Sequence, residues 1–273
     1  MIDRCYLEIT DVCNLQCVFC PKTKRAPKTM SHQEFDTLTD RLKGQVRFLY
    51  FHLMGEPLLH PCLPQFIEEA RAKGFIPVIT TNGTLIGRMP LTGIYKVNIS
   101  LHSFEGNGRI DPEKYISDII GFSLKSDAIT VLRLWNRGGH DSMNDNLINL
   151  IAKVYNQPWT EVKNGYKLAE RVFIEYDDMF EWPDHDAPED FGEELFCYGL
   201  RGQIGVLVDG TVVPCCLDHD GDMALGNLHE QPLETILKSD RARRIYDGFT
   251  SHKAVEPLCR RCGYAAKTKQ YRK

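Results

Sequence analysis

The chain contains no run of about 18 apolar residues, the length a membrane-crossing helix needs. Its first residues, Met1-Ile2-Asp3-Arg4, bring charge and then Cys5 too early for the apolar stretch of a signal peptide. Charge of one sign is also lacking. With 33 Lys and Arg against 37 Asp and Glu, the formal net charge is −4, which excludes the basic excess of a dedicated nucleic-acid binder. No internal repeat or low-complexity segment appears, so a repeat architecture is excluded too. Gly106-Asn107-Gly108 lacks the third glycine and the strand context of a dinucleotide fingerprint. Asp218-His219-Asp220-Gly221-Asp222 lacks the Glu that closes an EF-hand loop, where His229 stands instead, and reads as a polar turn. These absences point to a cytoplasmic protein with neither membrane nor nucleic acid among its partners.

What is present suits one large α/β domain with a modest appendage: 273 residues, of which 42% are hydrophobic. Ten cysteines in a reducing compartment are metal ligands more readily than disulfides. Residues 4–10 alternate with β-branched and aromatic members and read as a first strand. Ser31 and Glu34 form a capping-box pattern, which predicts a helix to about Lys43. A strand largely buried on both faces follows at 46–53, and Pro61 suits the first turn of a helix ending at Gly74. Further strands are predicted at 76–80, 95–101, 129–135 and 172–176, with helices from Asp111-Pro112 and over 142–155. Strands separated by helices imply a parallel βα barrel or open sheet. Chemistry in such folds sits on loops at the C-terminal strand ends, where most of the motifs below fall.

Cys13, Cys17 and Cys20 lie on one tight loop. Three thiolates so placed can each hold one iron of a 4Fe-4S cube and leave the fourth iron open. Zinc or scattered buried thiols are the competing readings. Structural zinc wants four closed ligands, and the nearest candidates for a fourth, Cys5 and His32, lie outside a Cys-x-x-Cys pairing. This spacing, with Phe19 just before the third cysteine, resembles the radical S-adenosylmethionine (SAM) superfamily. The resemblance implies that the open iron chelates SAM, that SAM is cleaved to a 5′-deoxyadenosyl radical, and that Phe19 belongs to the cofactor site.

Met54-Gly55-Glu56-Pro57 resembles the superfamily's Gly-Gly-Glu-Pro element, with Met54 replacing the first glycine, so Gly55 and Glu56 inherit the hold on the methionine amine. A plain turn is the alternative. Thr80-Thr81-Asn82-Gly83 is similar to the family's Thr-Asn-Gly turn, which gives Thr81 and Asn82 either a SAM contact or the role of a tight turn. Ser100 matches the position that touches the ribose or carboxylate, and His102-Ser103 replaces the Asp-Gly that often follows it. Arg133, in the otherwise apolar Val131-Leu132-Arg133-Leu134-Trp135, needs an anion. The resemblance implies the SAM carboxylate, with Arg109 as the alternative donor; a structural pair with Glu175 is the other possibility.

Composition shifts near residue 180, where Glu181-Trp182-Pro183 leads into an acidic run (Asp184, Asp186, Glu189, Asp190, Glu193, Glu194) read as a solvated linker. Beyond it, 203–208 and 211–215 joined by Asp209-Gly210 predict a hairpin between Cys197 and Cys215. Cys259-Arg260-Arg261-Cys262 can converge with it on one metal. The pattern Cys197, Gly210, Cys215 and Cys-x-x-Cys resembles the SPASM/twitch extensions of radical SAM enzymes. The implied fold is α/β: a partial (β/α)6 TIM-like barrel over 1–180, then a small twitch/SPASM-like domain of β-hairpin plus helix over 181–273. The implied second 4Fe-4S cluster is held by Cys197, Cys215, Cys259 and Cys262, and Thr268 stands where a full SPASM domain would place its next cysteine. Zinc in the same thiolate site, and Cys216 in place of Cys215, stay open. Lys267, Lys269, Arg272 and Lys273 read as a solvated tail.

The resemblance thus implies a radical SAM oxidoreductase that oxidises a small molecule by two electrons, with the auxiliary cluster as acceptor and a low-potential donor such as flavodoxin or ferredoxin. The absence of a peptide-recognition domain before Cys13 favours a small molecule over a ribosomal peptide. The substrate's proton needs a base, for which Asp218 and His102 are the candidates. A non-catalytic iron–sulfur electron carrier is the reading from another class; it predicts loss of the SAM contacts, whereas Glu56, Ser100 and Arg133 are present.

Overall fold

β-Branched and aromatic runs become parallel strands β1 (Ile2–Leu7), β2 (Val46–Tyr50), β3 (Ile76–Thr81), β4 (Lys96–Ser100) and β5 (Ile129–Arg137), separated by helices α1 (His32–Leu42), α2 (Leu63–Ala72) and α3 (Pro112–Ser123). Helix α4 (Asn144–Ala152) and a hairpin of β6 (Thr160–Val162) and β7 (Gly165–Ala169) precede the sixth parallel strand, β8 (Val172–Asp178). The structure is a computed structural model and describes residues 2–104, 107 and 110–270. Gly106, Gly108, Arg109, Arg272 and Lys273 lie outside the described residues, as does the side chain of Lys269. Among the described residues no helix is long and apolar enough to cross a membrane.

The sheet alternates as strands must. On one face Cys5, Leu7, Leu49, Ile79, Val97, Ile99, Leu132 and Ile174 are buried and join Phe35, Phe66 and Ile119 of the helices in one core. On the other face Arg4, Tyr6, Tyr50, Lys96, Ser100 and Arg133 line a cavity. The strand order is linear, with β6–β7 beyond β8 at one edge, so the barrel is partial and open. That hairpin escapes the sequence reading because β6 is exposed throughout and shows no apolar alternation.

Helix starts follow local chemistry. Ser31 Oγ accepts the Glu34 amide at 3.2 Å while the Glu34 carboxylate accepts the Ser31 amide at 2.7 Å, the predicted capping box. Asp111 accepts the amides of Glu113 and Lys114 ahead of α3. The helix expected at Pro61 begins at Leu63, with Pro64 in its first turn.

The appendage is larger than a hairpin plus a helix. β9 (Gln203–Val206) and β10 (Thr211–Val213) form the predicted hairpin, extended by β11 (Gly226–Asn227); α5 (Leu233–Leu237), α6 (Asp240–Thr250), α7 (Pro257–Arg260) and α8 (Gly263–Gln270) follow. β9 pairs in parallel with β1, from Arg4↔Gln203 to Leu7↔Val206, so the appendage continues the barrel sheet. The acidic run is solvent-exposed as expected, and its Asp190 and Glu193 pair at the surface with Arg260 at 2.8 and 3.4 Å. One expectation is corrected. Lys267 is not a solvated tail residue: its ammonium lies 2.5 Å from Asp177 and donates to Asp178 O at 2.9 Å.

The helix layer depends on Phe35, whose ring stacks on Phe66 at 3.9 Å and 3°. Phe35→Ala is expected to lower unfolding free energy by about 3–5 kcal/mol in chemical denaturation; a loss below about 1 kcal/mol would show that this stack is not a core contact.

Candidate active site

The cysteine loop leaves β1 and is held from inside. Glu8, fully buried, accepts two hydrogen bonds from the Arg25 guanidinium at 2.8 Å each, plus the amides of Met54 at 3.1 Å and Val208 at 3.0 Å. One carboxylate thereby ties the cysteine loop, the Gly-Glu-Pro loop and the appendage together. Asp220 adds a second tie, accepting from Thr23 Oγ1 at 2.6 Å and Lys24 N at 2.9 Å. The sequence reading missed this clamp, because its members are 8, 25, 54, 208 and 220 in a chain of 273 residues.

The loop's chemistry fits three iron-bound thiolates. Leu15 N points at Cys13 Sγ from 3.4 Å, Asn82 Nδ2 at the same sulfur from 3.9 Å, and Asn107 Nδ2 at Cys17 Sγ from 3.7 Å. Such donors favour negative charge on sulfur and tune a cluster's potential. Burial pushes the Cys13 and Cys17 thiols up, and the neighbouring thiols add to it, so a metal has to displace their protons. The two candidates for a fourth ligand are elsewhere: Cys5 is in the core and His32 faces Glu69 at 3.1 Å.

Around the loop, Gly55 has φ +74°, and a Cβ there would collide with Thr10 O and Asp11 C, so only glycine lets this turn sit against the cysteine loop. The Glu56 carboxylate turns inward, where it accepts Leu58 N at 3.0 Å, Thr81 Oγ1 at 2.7 Å and Asn82 N at 2.7 Å. Its hydrogen bonds join two loops and hold the carboxylate beside the cysteine loop. Thr81 and Asn82 are buried with it, and the Asn82 amide reaches Asn14 Oδ1 at 3.0 Å. Strand parity explains this: Thr80, not Thr81, faces the cavity.

Ser100, Arg133 and Glu175 are register partners across β4, β5 and β8. The alternative weighed for Arg133 is present in a long form, Nε to Glu175 at 3.7 Å, while the guanidinium lies 4.1 Å over the Trp135 ring. Its Nε is buried without a hydrogen-bond partner, which leaves capacity for an anion. Phe19 lines the cavity and its ring sits 4.9 Å from that of His102. Of the two candidate bases, His102 lines the cavity and Asp218 does not. Burial pulls His102 down to about 4, its Nδ1 lying 3.1 Å from Arg133 O. Asp218 is pushed up to about 6 by burial, but its carboxylate accepts Asp222 N and Met223 N at 2.9 Å each and does not line the cavity.

At the far side Cys197, Cys215, Cys259 and Cys262 face one another. Both Cys215 and Cys216 lie within electrostatic reach of this group, and Cys216 also takes a hydrogen bond from Tyr6 and feels Arg4. Gly199 N points at Cys197 Sγ from 3.3 Å, and the Tyr264 and Ala265 amides point at Cys262 at the start of α8. Among the described residues no three His, Cys, Asp or Glu side chains come together as ligands of a single ion. Four thiols from one hairpin and one Cys-x-x-Cys fit a cube, which gives each iron its own thiolate.

Between the two cysteine sites runs a cavity of about 510 Å³ that touches Ser100 and His102 at one end and Cys197, Cys215 and Cys259 at the other. Arg4, Tyr6, Tyr50, His52 and Lys96 on its wall were missed by sequence reading. Their signal was the polar alternation Arg4-Tyr6-Glu8 and Tyr50-His52 inside otherwise apolar strands.

Comparison with known proteins agrees with this layout. A radical SAM superfamily model matches residues 7–156, and the SPASM iron–sulfur cluster-binding domain model matches residues 197–263. The chain is similar to a tungsten-containing aldehyde ferredoxin oxidoreductase cofactor-modifying protein of Pyrococcus furiosus, at 32% identity over 36% of this chain and 29% of that one. It is also similar to a GTP 3',8-cyclase of Chlorobaculum tepidum, at 34% identity over 42% and 36%. It therefore spans about a third of the length of these curated relatives. Solved structures of similar fold include BtrN in complex with AdoMet and 2-DOIA (TM-score 0.58, 19% identity, 96% of this chain and 93% of that one). Another is Streptococcus suis SuiB bound to S-adenosylmethionine (TM-score 0.60, 14% identity, 97% and 72%).

Removing the charge of Glu8 leaves Arg25 without its buried partner. Glu8→Gln is expected to cost about 3–5 kcal/mol of stability by chemical denaturation, and a change near zero would refute the clamp. Gly55→Ala is expected to lower SAM affinity by about ten-fold or more in equilibrium binding; unchanged affinity would show that the close approach at Thr10 does not shape the site.

Proposed function

Because the chain belongs to the radical SAM superfamily and carries a SPASM iron–sulfur cluster-binding domain, we propose that it oxidises a small molecule by two electrons in the cavity between its two clusters. When bound, SAM and the cluster of the amino-terminal loop supply a 5′-deoxyadenosyl radical for hydrogen-atom abstraction, and the auxiliary cluster supplies an electron acceptor. Cys13, Cys17 and Cys20 hold the first 4Fe-4S cluster; Cys197, Cys215, Cys259 and Cys262 hold the second.

The remaining residues bind and orient. Gly55 brings the backbone against the cysteine loop, and Glu56 fixes the Thr81-Asn82 turn beside Cys13. Ser100 and Arg133, register partners on the cavity wall, would hold the carboxylate of SAM, and Phe19 with His102 walls that end of the cavity. The aromatic wall, including Trp135, Phe180 and Trp182, excludes water from a reactive radical. An external low-potential donor such as flavodoxin or ferredoxin reaches the first cluster from the side of exposed Cys13 and Val18.

The observation that carries this reading is the cavity itself: a molecule inside it meets Ser100 and the auxiliary thiols at once. Its volume, about 510 Å³, is that of a small-molecule site. Modification of a peptide is the second reading, supported by the fold shared with SuiB bound to precursor peptide SuiA (TM-score 0.60).

Anaerobically reconstituted protein with a strong reductant is expected to bind roughly eight irons, two full cubes, and to convert SAM to 5′-deoxyadenosine. A variant lacking Cys13, Cys17 and Cys20 is expected to keep roughly four irons and lose the cleavage. Full iron loading without 5′-deoxyadenosine would mark an electron carrier instead.

A further inference from the structure

The wall of the cavity carries charge of one sign. Among the described residues Arg4, Lys96 and Arg133 line it, and no Asp or Glu does. Arg4 Nε and Arg133 Nε each have a carboxylate oxygen at 3.7 Å, from Asp3 and Glu175, an ion pair too long for a hydrogen bond. Both Nε atoms, together with His52 Nδ1, are buried with no hydrogen-bond partner. Buried nitrogens left unpaired are costly and rare. Arg133 Nε answers to SAM in the reading above; Arg4 Nε and His52 Nδ1, on the wall of the same cavity, mark a place where a second ligand supplies oxygen.

Register sets Lys96 apart from Ser100 along β4, with Arg133 a charged neighbour of both Lys96 and His52. Tyr6, Tyr50, Val78 and Lys96 are partners across β1 to β4, while Ser100 pairs with Arg133 at the C-terminal strand ends. Lys96 lies four residues before Ser100 on β4, roughly 13 Å along the strand. Arg4 also faces Cys216, so its charge answers partly to the auxiliary site. Lys96 has Glu175 and Arg133 as its charged neighbours, so one carboxylate serves two cations.

Resting on the reading of this cavity as the substrate site, we propose that Lys96 and Arg4, with His52 and Tyr50, bind an oxyanion of the substrate. The molecule oxidised is then a small carboxylate- or phosphate-bearing compound, anchored by that group toward the N-terminal strand ends while its reacting carbon faces SAM.

The test is calorimetric titration of the reconstituted, SAM-saturated holoenzyme with inorganic phosphate and, separately, with succinate, at ionic strength held constant with chloride. At least one anion is expected to bind the unmodified protein in the millimolar range or tighter; phosphate alone points to a phosphate ester, succinate alone to a carboxylate. Lys96→Met weakens that binding about ten-fold or more, Lys96→Arg retains it, and both keep SAM affinity within about two-fold. Should Lys96→Met fail to load iron, Arg4→Gln is read in the same way. The oxyanion site is overturned if neither anion binds, if Lys96→Met binds as the unmodified protein does, or if anion and SAM affinity fall together. Formation of 5′-deoxyadenosine is scored separately, so failure of the enzymatic reading and failure of the anion site give different results.

Discussion

One buried ion pair keeps the two cysteine-bearing halves in a common frame. Glu8 sits at the end of β1, where it meets Arg25 of the first cysteine loop, the amide of Met54 and the amide of Val208 in the appendage. A carboxylate without water is tolerated only when its oxygens are fully engaged, so each of these partners is constrained by the others. The parallel pairing of β9 with β1 runs into this same point. Distance and orientation between the two cluster sites are thus consequences of one strand and one charge.

A second inward carboxylate repeats the device. Glu56 joins the Gly-Glu-Pro loop to the Thr81-Asn82 turn through three hydrogen bonds, and Asn82 in turn reaches the Cys13 loop. The acids nearest the chemistry therefore serve geometry, while the cavity they frame is lined by cations and neutral imidazoles. This division suits a fold whose bound cofactors perform the difficult steps and whose protein part orients them and keeps water out. The open barrel follows from the same demand, because the side that a closing strand would seal is occupied by the appendage carrying the second set of thiols.

Local signals were legible wherever a motif acts through near neighbours. Ser31 with Glu34, Asp111 with Pro112, and Asp209-Gly210 each stood where the structure has a cap or a turn. The five cysteines of the appendage were legible as a group by spacing, while the hydrogen bond of Tyr6 to Cys216 was not, because it joins β1 to the hairpin. The hydrogen bonds from Thr81 and Asn82 to Glu56 were not legible, because a residue's face on a strand depends on register and the partner of a buried carboxylate on what folds over it. The hairpin of β6 and β7 left no trace, since a two-sided exposed edge carries no hydrophobic period.

The order of cysteines, glycines and helix caps along the chain by itself determined the cofactor class and the alternation of strand and helix, because these depend on spacings of a few residues. Tertiary structure alone decided that Glu8 meets Arg25 and Val208, that Arg133 lies between Glu175 and Trp135, and that Lys96 shares a cavity with the auxiliary thiols. Those contacts join residues tens to hundreds of positions apart, and only the pairing of distant strands, which buries one face and leaves the other around a cavity, brings them together.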